Sequence, residues 1–453
     1  MRYRFSTPLC FLVSALVLLA LSSCGSKTSQ TSEENIAKIS DDSLFNLVQY
    51  KTFQYFWDGA EPTSGGARER YHSDNVYPEN DKHIITSGGT GFGVMAILVG
   101  IERNFITREQ GLERLTKFVN WLGNADTFHG VWPHWWNGET GDVKPFSPKD
   151  NGGDLVETSY LLQGLLCVRE YFKDGSDEEK TLAAKIDTLW RAVEFDWHRQ
   201  NNKNVLYWHW SPKDEWAMNF PVEGYNECLI MYVLAAASPA HGIPAEVYHE
   251  GWARSGKMKN DEQHQQYGLH LDLKHNGAPQ YGGPLFWSHY SFLGLDPRNL
   301  RDRYADYWTH NKNHTLINYR YCVENPKKFE GYGEDCWGLT ASYSINGYSA
   351  HSPTEDLGVI SPTAALSSFP YTPEQSKRAM RHFYEKHGDK LFGEFGFYDA
   401  FSEHHDWYLP RYLAIDQGPT VVMMENYRTG LLWKLFMSAP EVQQGLDKLG
   451  FQR

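Results

Sequence analysis

The chain has 453 residues, of which 41% are hydrophobic, and a formal net charge of −13. This acidic balance argues against nucleic acid or an anionic membrane surface as a partner, because both require a basic patch. Aromatic residues make up 15% of the chain, with 16 Trp and 27 Tyr, which is more than core packing requires and favours ligand-binding loops.

The sequence at the N-terminus predicts a targeting segment followed by a tether. A basic start precedes an apolar run from Leu9 to Leu21, which is too short to span a membrane and is typical of a secretory signal. The Leu-Ser-Ser-Cys sequence that ends at Cys24 is similar to a bacterial lipobox and predicts cleavage before Cys24 and lipidation of its thiol. A cleaved peptide without lipid is the alternative.

These features predict a lipoprotein signal peptide over 1–23 and a flexible tether over 24–40. The mature protein would then face the periplasm of a Gram-negative envelope, with the lipid as its membrane contact. No Pro- or Ser-rich linker follows residue 40, so 41–453 is predicted to be a single domain.

Helical periodicity dominates that domain. In the first half we predict six helices: five begin near Asp41, Ser87, Thr107, Glu157 and Asn226, and the other carries apolar residues from Leu182 to Val193. In the second half the candidates are 244–257, 297–310, 335–344, 361–369, 374–387 and 419–437. Strand-like alternation is confined to short runs such as 205–208.

More polar helices alternate with apolar ones that open with Gly, Asn or an acid. This alternation fits an all-α (α/α)6 toroid, in which an inner ring of buried helices lies within an outer ring and long loops at one end form the site. The Gly-rich segment 88–93 lacks the Lys-Ser/Thr ending of a phosphate-binding loop, so we expect it to permit close helix packing.

Three carboxylates, Asp150, Asp154 and Glu157, fall within eight residues around two glycines. A cluster of acids is costly to bury, which favours a place reached by water or a ligand. The alternative is a capping box, with Asp154 as N-cap and Glu157 three residues later. That alternative leaves Asp150 and the Trp-rich loop just upstream unexplained.

Further acids stand at predicted helix entrances with Gly or aromatic neighbours, and in a toroid these entrances converge on one end. They are Glu223, Glu227, Glu334, Asp335, Glu394, Asp399 and Asp416. Glycoside hydrolysis uses one protonated carboxyl and one carboxylate, and aromatic faces hold sugar rings. For any one of these acids, a helix cap or surface salt bridge is the more usual role.

The cysteines and histidines do not form a recognisable metal motif. Cys167 and Cys228 sit in apolar helical runs as buried thiols. Cys322 and Cys336 could pair in an oxidising compartment, and no Cys-x-x-Cys motif is present, so a structural zinc site is not expected. Hydrolysis of a glycosidic bond by two carboxyls and water needs no metal or cofactor.

Several motifs together resemble the bacterial glucoamylase-like domain, in particular glycoside hydrolase family 144. They are Thr86–Gly93, the Asp150-x3-Asp154-x2-Glu157 stretch, Tyr225-Asn226-Glu227, Gly283–Phe286, Gly333–Ser342, Gly396–Phe401 and Ala414–Pro419. The resemblance covers nearly the whole mature chain. It implies an (α/α)6 fold and inverting hydrolysis of β-1,2-glucans, by endo action or by release of sophorose from the non-reducing end.

The resemblance also implies roles for individual residues. Glu227 matches a general acid and Asp416 a carboxylate on the base side, while Asp150, Asp154 and Glu157 match acids that line the cleavage point. Sugar contacts are expected from Trp132, His134, Trp135, Trp136, Trp208, Tyr225, Phe286, His289, Glu334, Asp335, Trp337 and Tyr398. A helix N-terminus favours a carboxylate, so neighbouring charges would have to raise the pKa of Glu227. Asp416 is expected to be ionised.

Three functions follow as hypotheses. The first is an inverting hydrolase that releases sophorose from the non-reducing end of linear β-1,2-glucooligosaccharides, with endo cleavage as its variant. The second is the same scaffold with a different glucan specificity. The third is a non-catalytic glycan-binding lipoprotein of the envelope, which has little reason to keep like-charged clusters.

Overall fold

The computed structural model describes residues 39–453. The predicted signal peptide, most of the tether and the lipidation site Cys24 lie outside the described residues. Residues Ser40–Arg453 form one unit. Within the described part of the chain, none of the helices combines the length and apolarity needed to cross a bilayer.

Twelve α-helices occur in residues 39–453. They are α1 (Asp41–Trp57), α2 (Ser87–Glu102), α3 (Arg108–Leu122), α4 (Leu155–Phe172), α5 (Asp177–Arg191), α6 (Leu229–Ala237), α7 (Tyr307–Glu324), α8 (Pro362–Leu366), α9 (Pro373–Leu391), α10 (Ala414–Arg428), α11 (Leu431–Met437) and α12 (Pro440–Leu449).

The strands are two to four residues long and pair antiparallel in small sheets. They are β1 (Arg70–His72), β2 (Ile84–Thr86), β3 (Trp135–Asn137), β4 (Val143–Lys144), β5 (Gly153–Asp154), β6 (His209–Trp210), β7 (Gln265–Gln266), β8 (Leu269–His270), β9 (Ala341–Ser344), β10 (Gly347–Ala350), β11 (Phe392–Gly393), β12 (Gly396–Phe397), β13 (Phe401–Ser402), β14 (Trp407–Tyr408) and β15 (Arg411–Leu413).

Buried helices alternate with amphipathic ones, as the sequence predicts for a toroid. α2, α4, α6, α8 and α10 are buried on nearly every side, whereas α3, α5 and α9 each bury one apolar face. α2 packs against both α4 and α10, and α6 packs against α12. The all-α toroid is therefore confirmed, and its inner helices supply the floor of the site.

The close contact between α2 and α4 depends on two glycines. A Cβ on Gly91 would lie 2.2 Å from the carbonyl oxygen of Tyr160, and one on Gly164 would lie 2.1 Å from the carbonyl oxygen of Gly91. Real Cβ atoms do not approach backbone this closely, so both positions require glycine. The expectation that the Gly-rich segment permits close packing is confirmed at Gly91.

The second half departs from the predicted elements. The segment predicted as a helix over 335–344 forms a turn and β9, and 244–257 contains a π-helical turn at Val247–Trp252 followed by a short 3-10 turn. The helix predicted over 297–310 begins later, as α7. The run 419–437 divides into α10 and α11 at Gly430, which adopts a left-handed conformation with φ 69°.

All four cysteines in the described part of the chain are free and buried. The possible Cys322–Cys336 disulfide is therefore not formed. Cys322 lies on α7 and Cys336 lies in the loop that precedes β9.

Candidate active site

Short strands lead directly into three buried helices and bring the loops of the site together. β2 runs into α2, β5 into α4 and β15 into α10. Each pairs with a strand from a distant part of the chain: β2 with β3, β5 with β6 and β15 with β1. The side chains of the site lie on or beside these strands, so strand pairing fixes them at the entrance of the helical ring.

Asp150 and Asp154 are held between two imidazole rings. His134 Nδ1 lies 3.1 Å from Asp154 Oδ2 and 3.5 Å from Asp150 Oδ2. His209 Nε2 lies 2.9 Å from Asp150 Oδ1 and 3.3 Å from Asp154 Oδ2. The β5–β6 pairing places Asp154 opposite His209. The four side chains therefore form one compact polar network behind the start of α4.

Burial and charge act in opposite directions in this network. Burial disfavours the charged form of His134, but Glu157 and the two aspartates raise its pKa well above the ordinary value. Burial likewise opposes ionisation of Asp154, but its bond with His134 and the charge of His209 lower its pKa. We conclude that Asp154 is ionised and His134 protonated at neutral pH.

Glu157 is held in position by hydrogen bonds of both its backbone and its side chain. Its backbone N–H donates to Asp154 Oδ1 at 2.9 Å, which is the N-cap bond predicted from the spacing. Its carboxyl does not return to the cap residue as in a capping box, but accepts from the backbone N–H of Gly88 at 2.9 Å. Burial, with the nearby charges of Asp154 and Glu69, raises the pKa of Glu157 to about 8.

Glu227 lies in the turn that precedes α6. Its backbone carbonyl accepts from the hydroxyls of Tyr160, at 3.3 Å, and Ser291. Burial is the main cause that raises the pKa of its carboxyl to about 7, and the charge of Asp154 adds to the effect. Desolvation therefore outweighs the helix start, which by itself would favour the carboxylate.

Asp416 is paired with Asp399. Both carboxyls are buried, and they lie close enough for each to shift the pKa of the other. Burial and the charge of Asp399 raise the pKa of Asp416 well above its ordinary value. This direction runs against the expectation that Asp416 alone is the ionised carboxylate. Burial raises the pKa of Asp399 to about 6, and the hydrogen bond that it accepts from Tyr343 N at 2.7 Å acts in the opposite direction.

The hydroxyl of Tyr290 is the point where acids from distant parts of the chain meet. Burial raises the pKa of Tyr290, and Asp416, Glu157 and Glu227 are close enough to raise it further. The hydroxyl is buried and makes no hydrogen bond to any of the described residues. A buried polar group of this kind calls for a partner, which a bound hydroxylated ligand or water can supply.

A cavity of about 460 Å³ opens beside Tyr290, within the size range of small-ligand sites. Its lining combines acids, an arginine and aromatic rings: Glu69, Arg70, Glu79, His134, Trp135, Phe146, Glu157, Phe286, Tyr290, Tyr343, Gly347, Tyr348, Leu413 and Ile415. Among the predicted residues, His134, Trp135, Glu157 and Phe286 line it directly. Glu227 and Asp416 do not line it, but their charges act on the pKa of Tyr290, which does.

Five residues predicted to contact sugar lie in the core instead. Trp132, Trp136, Tyr225, His289 and Trp337 are at most 2% exposed. A ring without accessible surface cannot stack on a sugar, so the prediction is corrected to a packing role for these five. His289, for example, has its Nε2 3.0 Å from the hydroxyl of Ser368 inside the protein.

The remaining predicted contacts are accessible but lie outside the cavity lining. Trp208 is half-buried and stacks on Phe220 at 5.3 Å, and Tyr398 packs on Tyr412 at 5.0 Å. Glu334 and Asp335 are more than half exposed and lie 4.0 and 3.3 Å from Arg378, so the structure gives them a surface ion-pair role.

Sequence reasoning missed Glu69, Tyr290 and the tyrosines of the β9–β10 hairpin. Glu69 is buried and its charge raises the pKa of both Glu157 and Asp416. Its backbone carbonyl accepts from Ala414 N, which explains how residue 69 reaches the start of α10. In the sequence Glu69 stands between two arginines, which gives no indication that it lies in the site. Its contact with the start of α10 joins residues that are far apart in the chain.

His134, Asp150 and Asp154 have donor atoms close enough together to suit a cation. However, both carboxylates already lie within hydrogen-bond reach of His134 or His209. These imidazole and carboxylate groups face one another, and we assign the network a supporting role beneath Glu157.

A ring of buried helices with clustered carboxyls beside an aromatic cavity defines a glycosidase-type (α/α) toroid. Residues 219–440 match the model of a family described as "putative glucoamylase". The chain is also 69% identical to the endo-β-1,2-glucanase from Chitinophaga pinensis, solved as a complex with sophorotriose and glucose. That similarity covers 92% of this chain and 99% of that chain, with a TM-score of 0.90. The chain belongs to this glucoamylase-like family, glycoside hydrolase family 144.

A second relative is named for a different mode of action. It is the exo β-1,2-glucooligosaccharide sophorohydrolase (non-reducing end) of Parabacteroides distasonis, which is 47% identical over 440 residues. The similarity covers 94% of this chain, and the chain spans 60% of the length of that relative.

Proposed function

We propose that the protein is an inverting glycoside hydrolase that acts on linear β-1,2-glucans. The observation that carries this proposal is a set of acids from distant segments, Glu227, Glu157 and Asp416, whose charges all act on Tyr290 beside a cavity with aromatic walls. Inverting hydrolysis needs one protonated carboxyl and one carboxylate with water between them. The two relatives named for β-1,2-glucans supply the substrate class.

In this proposal Glu227 is the general acid. Its pKa of about 7 leaves it substantially protonated near neutral pH, as proton donation to a glycosidic oxygen requires. Asp416 and Asp399 share a proton, and the ionised oxygen of the pair accepts a proton from water on the base side. Glu157, with a pKa of about 8, is the second candidate for the acid.

Within this class we propose exo action that releases sophorose from the non-reducing end. A cavity of about 460 Å³ suits a short terminal segment better than a long chain interior. The β9–β10 hairpin contributes Tyr343 and Tyr348 to its wall. The Chitinophaga relative, with its higher identity, favours endo cleavage as the second candidate.

The decisive experiment is digestion of linear β-1,2-glucan, with β-1,3-, β-1,4- and α-1,4-glucans as comparison substrates. Exo action gives sophorose alone from the earliest time points, whereas endo action gives a spread of oligomers. NMR of the first products reports whether the anomeric configuration inverts. Binding without turnover would instead identify a glycan-binding lipoprotein, and cleavage of another glucan would replace the substrate class.

We propose that the mature chain is anchored in the periplasm by a lipid on Cys24. The support is the Leu-Ser-Ser-Cys sequence after an apolar run of signal length. We expect the wild type in the membrane fraction with a lipid-modified N-terminus by mass spectrometry. Cys24→Ser should lose the modification, and a wild type without lipid would contradict the anchor.

A further inference from the structure

A second cluster of possible metal ligands lies on the outer ring, in residues that the proposed chemistry does not use. Cys336, His382 and Glu403 each offer one donor atom, and these atoms all lie within 4.8 Å of one another. The three residues come from separate segments: the loop before β9, the helix α9 and the turn between β13 and β14. The fold, and not local sequence, therefore assembles the cluster.

From this cluster we propose a zinc site formed by Cys336, His382 and Glu403. Thiolate, imidazole and carboxylate are the ligands that zinc takes in proteins, usually four in a tetrahedron. Bond lengths of about 2.0–2.3 Å place tetrahedral donors about 3.5 Å apart, so a movement of about 1 Å closes the site. Three protein ligands leave the fourth position to water.

The orientation of the donors supports this assignment. His382 Nε2 is buried and has no hydrogen-bond partner within residues 39–453, yet it faces Glu403 Oε1 at 3.9 Å. Cys336 is only 2% exposed, while the His382 side chain is 22% exposed. A cation could therefore enter past His382 and give its unpartnered nitrogen a ligand role.

The surroundings of Glu403 resemble the outer shell of a metal site. His387 Nε2 lies 3.0 Å from its Oε1, and Tyr408 in turn contacts His387 Nδ1 at 3.0 Å. Lys386 binds the other oxygen at 2.7 Å, and its half-exposed side chain can turn to solvent when a cation enters. Such hydrogen bonds orient ligating carboxylates and commonly support affinity.

The ion would tie together two loops, one of which leads into the wall of the cavity. Cys336 precedes the β9–β10 hairpin, which carries Tyr343 and Tyr348, and Glu403 follows Asp399 by four residues. Fixing both loops to α9 would stabilise the folded state, because an ion that binds only the folded chain adds its binding free energy to stability. The site is thus inferred to be structural, and it does not depend on the proposed hydrolysis.

The test uses untagged protein, purified without chelator, loaded with ZnCl2 and freed of excess metal. Elemental analysis should find about one zinc per chain in the wild type and in Cys167→Ser, whose thiol is equally buried but lies on α4. Cys336→Ser and His382→Gln should lose that zinc and the rise in melting temperature that zinc produces. His387→Gln should weaken zinc affinity about 10–100-fold.

Cobalt provides a readout that does not depend on stability. Co²⁺ bound in place of zinc should give the near-ultraviolet charge-transfer absorption of a cobalt–thiolate bond in the wild type, and Cys336→Ser should lack it. Absence of bound zinc in the wild type would overturn the site. So would zinc that persists in Cys336→Ser and His382→Gln but disappears in His134→Asn, because the ion would then belong to the acid network.

Discussion

The proton on Glu227 is the feature of the site most open to a direct test. Glu227→Gln keeps the size of the side chain and removes the titratable proton, so turnover of β-1,2-glucan should fall about 10²–10⁴-fold. The matched control is Glu223→Gln, four residues earlier in the same loop. Its carboxylate is 42% exposed and lies 3.3 Å from Arg254, so this change should leave turnover near wild type.

Substrates with a good leaving group should distinguish Glu227 from Glu157 as the acid. An aryl β-sophoroside with a good leaving group needs little protonation of its leaving oxygen. The variant that lacks the acid should therefore recover most of its rate on that substrate. We expect recovery in Glu227→Gln and not in Glu157→Gln. Recovery in Glu157→Gln alone would transfer the role to Glu157, and equal loss in Glu223→Gln would contradict a specific role for Glu227.

The pH dependence of kcat/KM should be bell-shaped and narrow. The rate should rise with pH near 6, where the pair of Asp399 and Asp416 becomes ionised and can accept a proton from water. It should fall above about 7, where Glu227 loses the proton it must donate. The glucan has no group that titrates in this range, so the decrease at alkaline pH is assigned to the enzyme. Glu227→Gln should therefore abolish that decrease in the measured profile.

At the residue scale, the sequence predicted local contacts better than distant ones. The spacing of Asp154 and Glu157 predicts the N-cap bond, which forms at 2.9 Å. The partner of the Glu157 carboxyl, Gly88, lies 69 residues away, and no pattern in the sequence connects them. The same limit applies to Asp416, whose protonation depends on Asp399 and on distant Glu69.

At the scale of elements, the contact between α2 and α4 predicts contrasting effects of the same substitution at two helical glycines. Gly91→Ala places a methyl group 2.2 Å from the carbonyl oxygen of Tyr160 and should cost at least about 1–3 kcal/mol. Gly388→Ala in α9 meets no atom within 4 Å and should gain about 0.5–1 kcal/mol. Denaturant unfolding of both variants measures the two changes, and equal effects would argue against the close helix contact.

Helices with apolar faces and clear start signals were predictable, and helices with polar buried faces were not. The Thr107 capping box and the stripe that follows it correspond to α3. The sequence predicts a helix that begins earlier than α7. The buried face of α7 carries polar residues, which in a sequence are typical of an exposed surface: His310, Asn311, His314 and Asn318. Burial of these side chains depends on partners in other segments.

At the scale of the whole molecule, alternation of apolar and amphipathic helices was enough to predict the toroid. It could not predict the cavity, because the walls come from loops that include residues as far apart as Glu69 and Tyr348. The helix pattern also could not identify the buried polar cluster that packs against Tyr225. There, three histidines are buried together between α7 and the loop before it.

These histidines are neutral in the folded protein. His275 Nδ1 accepts from Gly283 N at 2.9 Å, and its Nε2 lies 2.9 Å from His310 Nε2. His314 lies between Ser288 and the carbonyl of Gly283, both at 2.8 Å. Burial, followed by the neighbouring imidazoles, lowers the pKa values of His275 and His310 far below the usual range, and burial lowers the pKa of His314 to about 4.

Acid should therefore remove the stability that these three histidines contribute. The unfolded imidazoles bind protons below about pH 6.5, whereas the folded ones remain neutral until a lower pH, so this stability is present above about pH 6.5 and is lost as pH falls. Each histidine contributes a slope of about 1.4 kcal/mol per pH unit once its unfolded form is protonated. Denaturant unfolding of the wild type and His314→Gln at a series of pH values from about 7 to about 5 measures this term, and the slope of the variant should be smaller by up to about 1.4 kcal/mol per pH unit. Equal slopes in the wild type and His314→Gln would mean that this ring already carries a proton in the folded state, against the bonding that holds it in place.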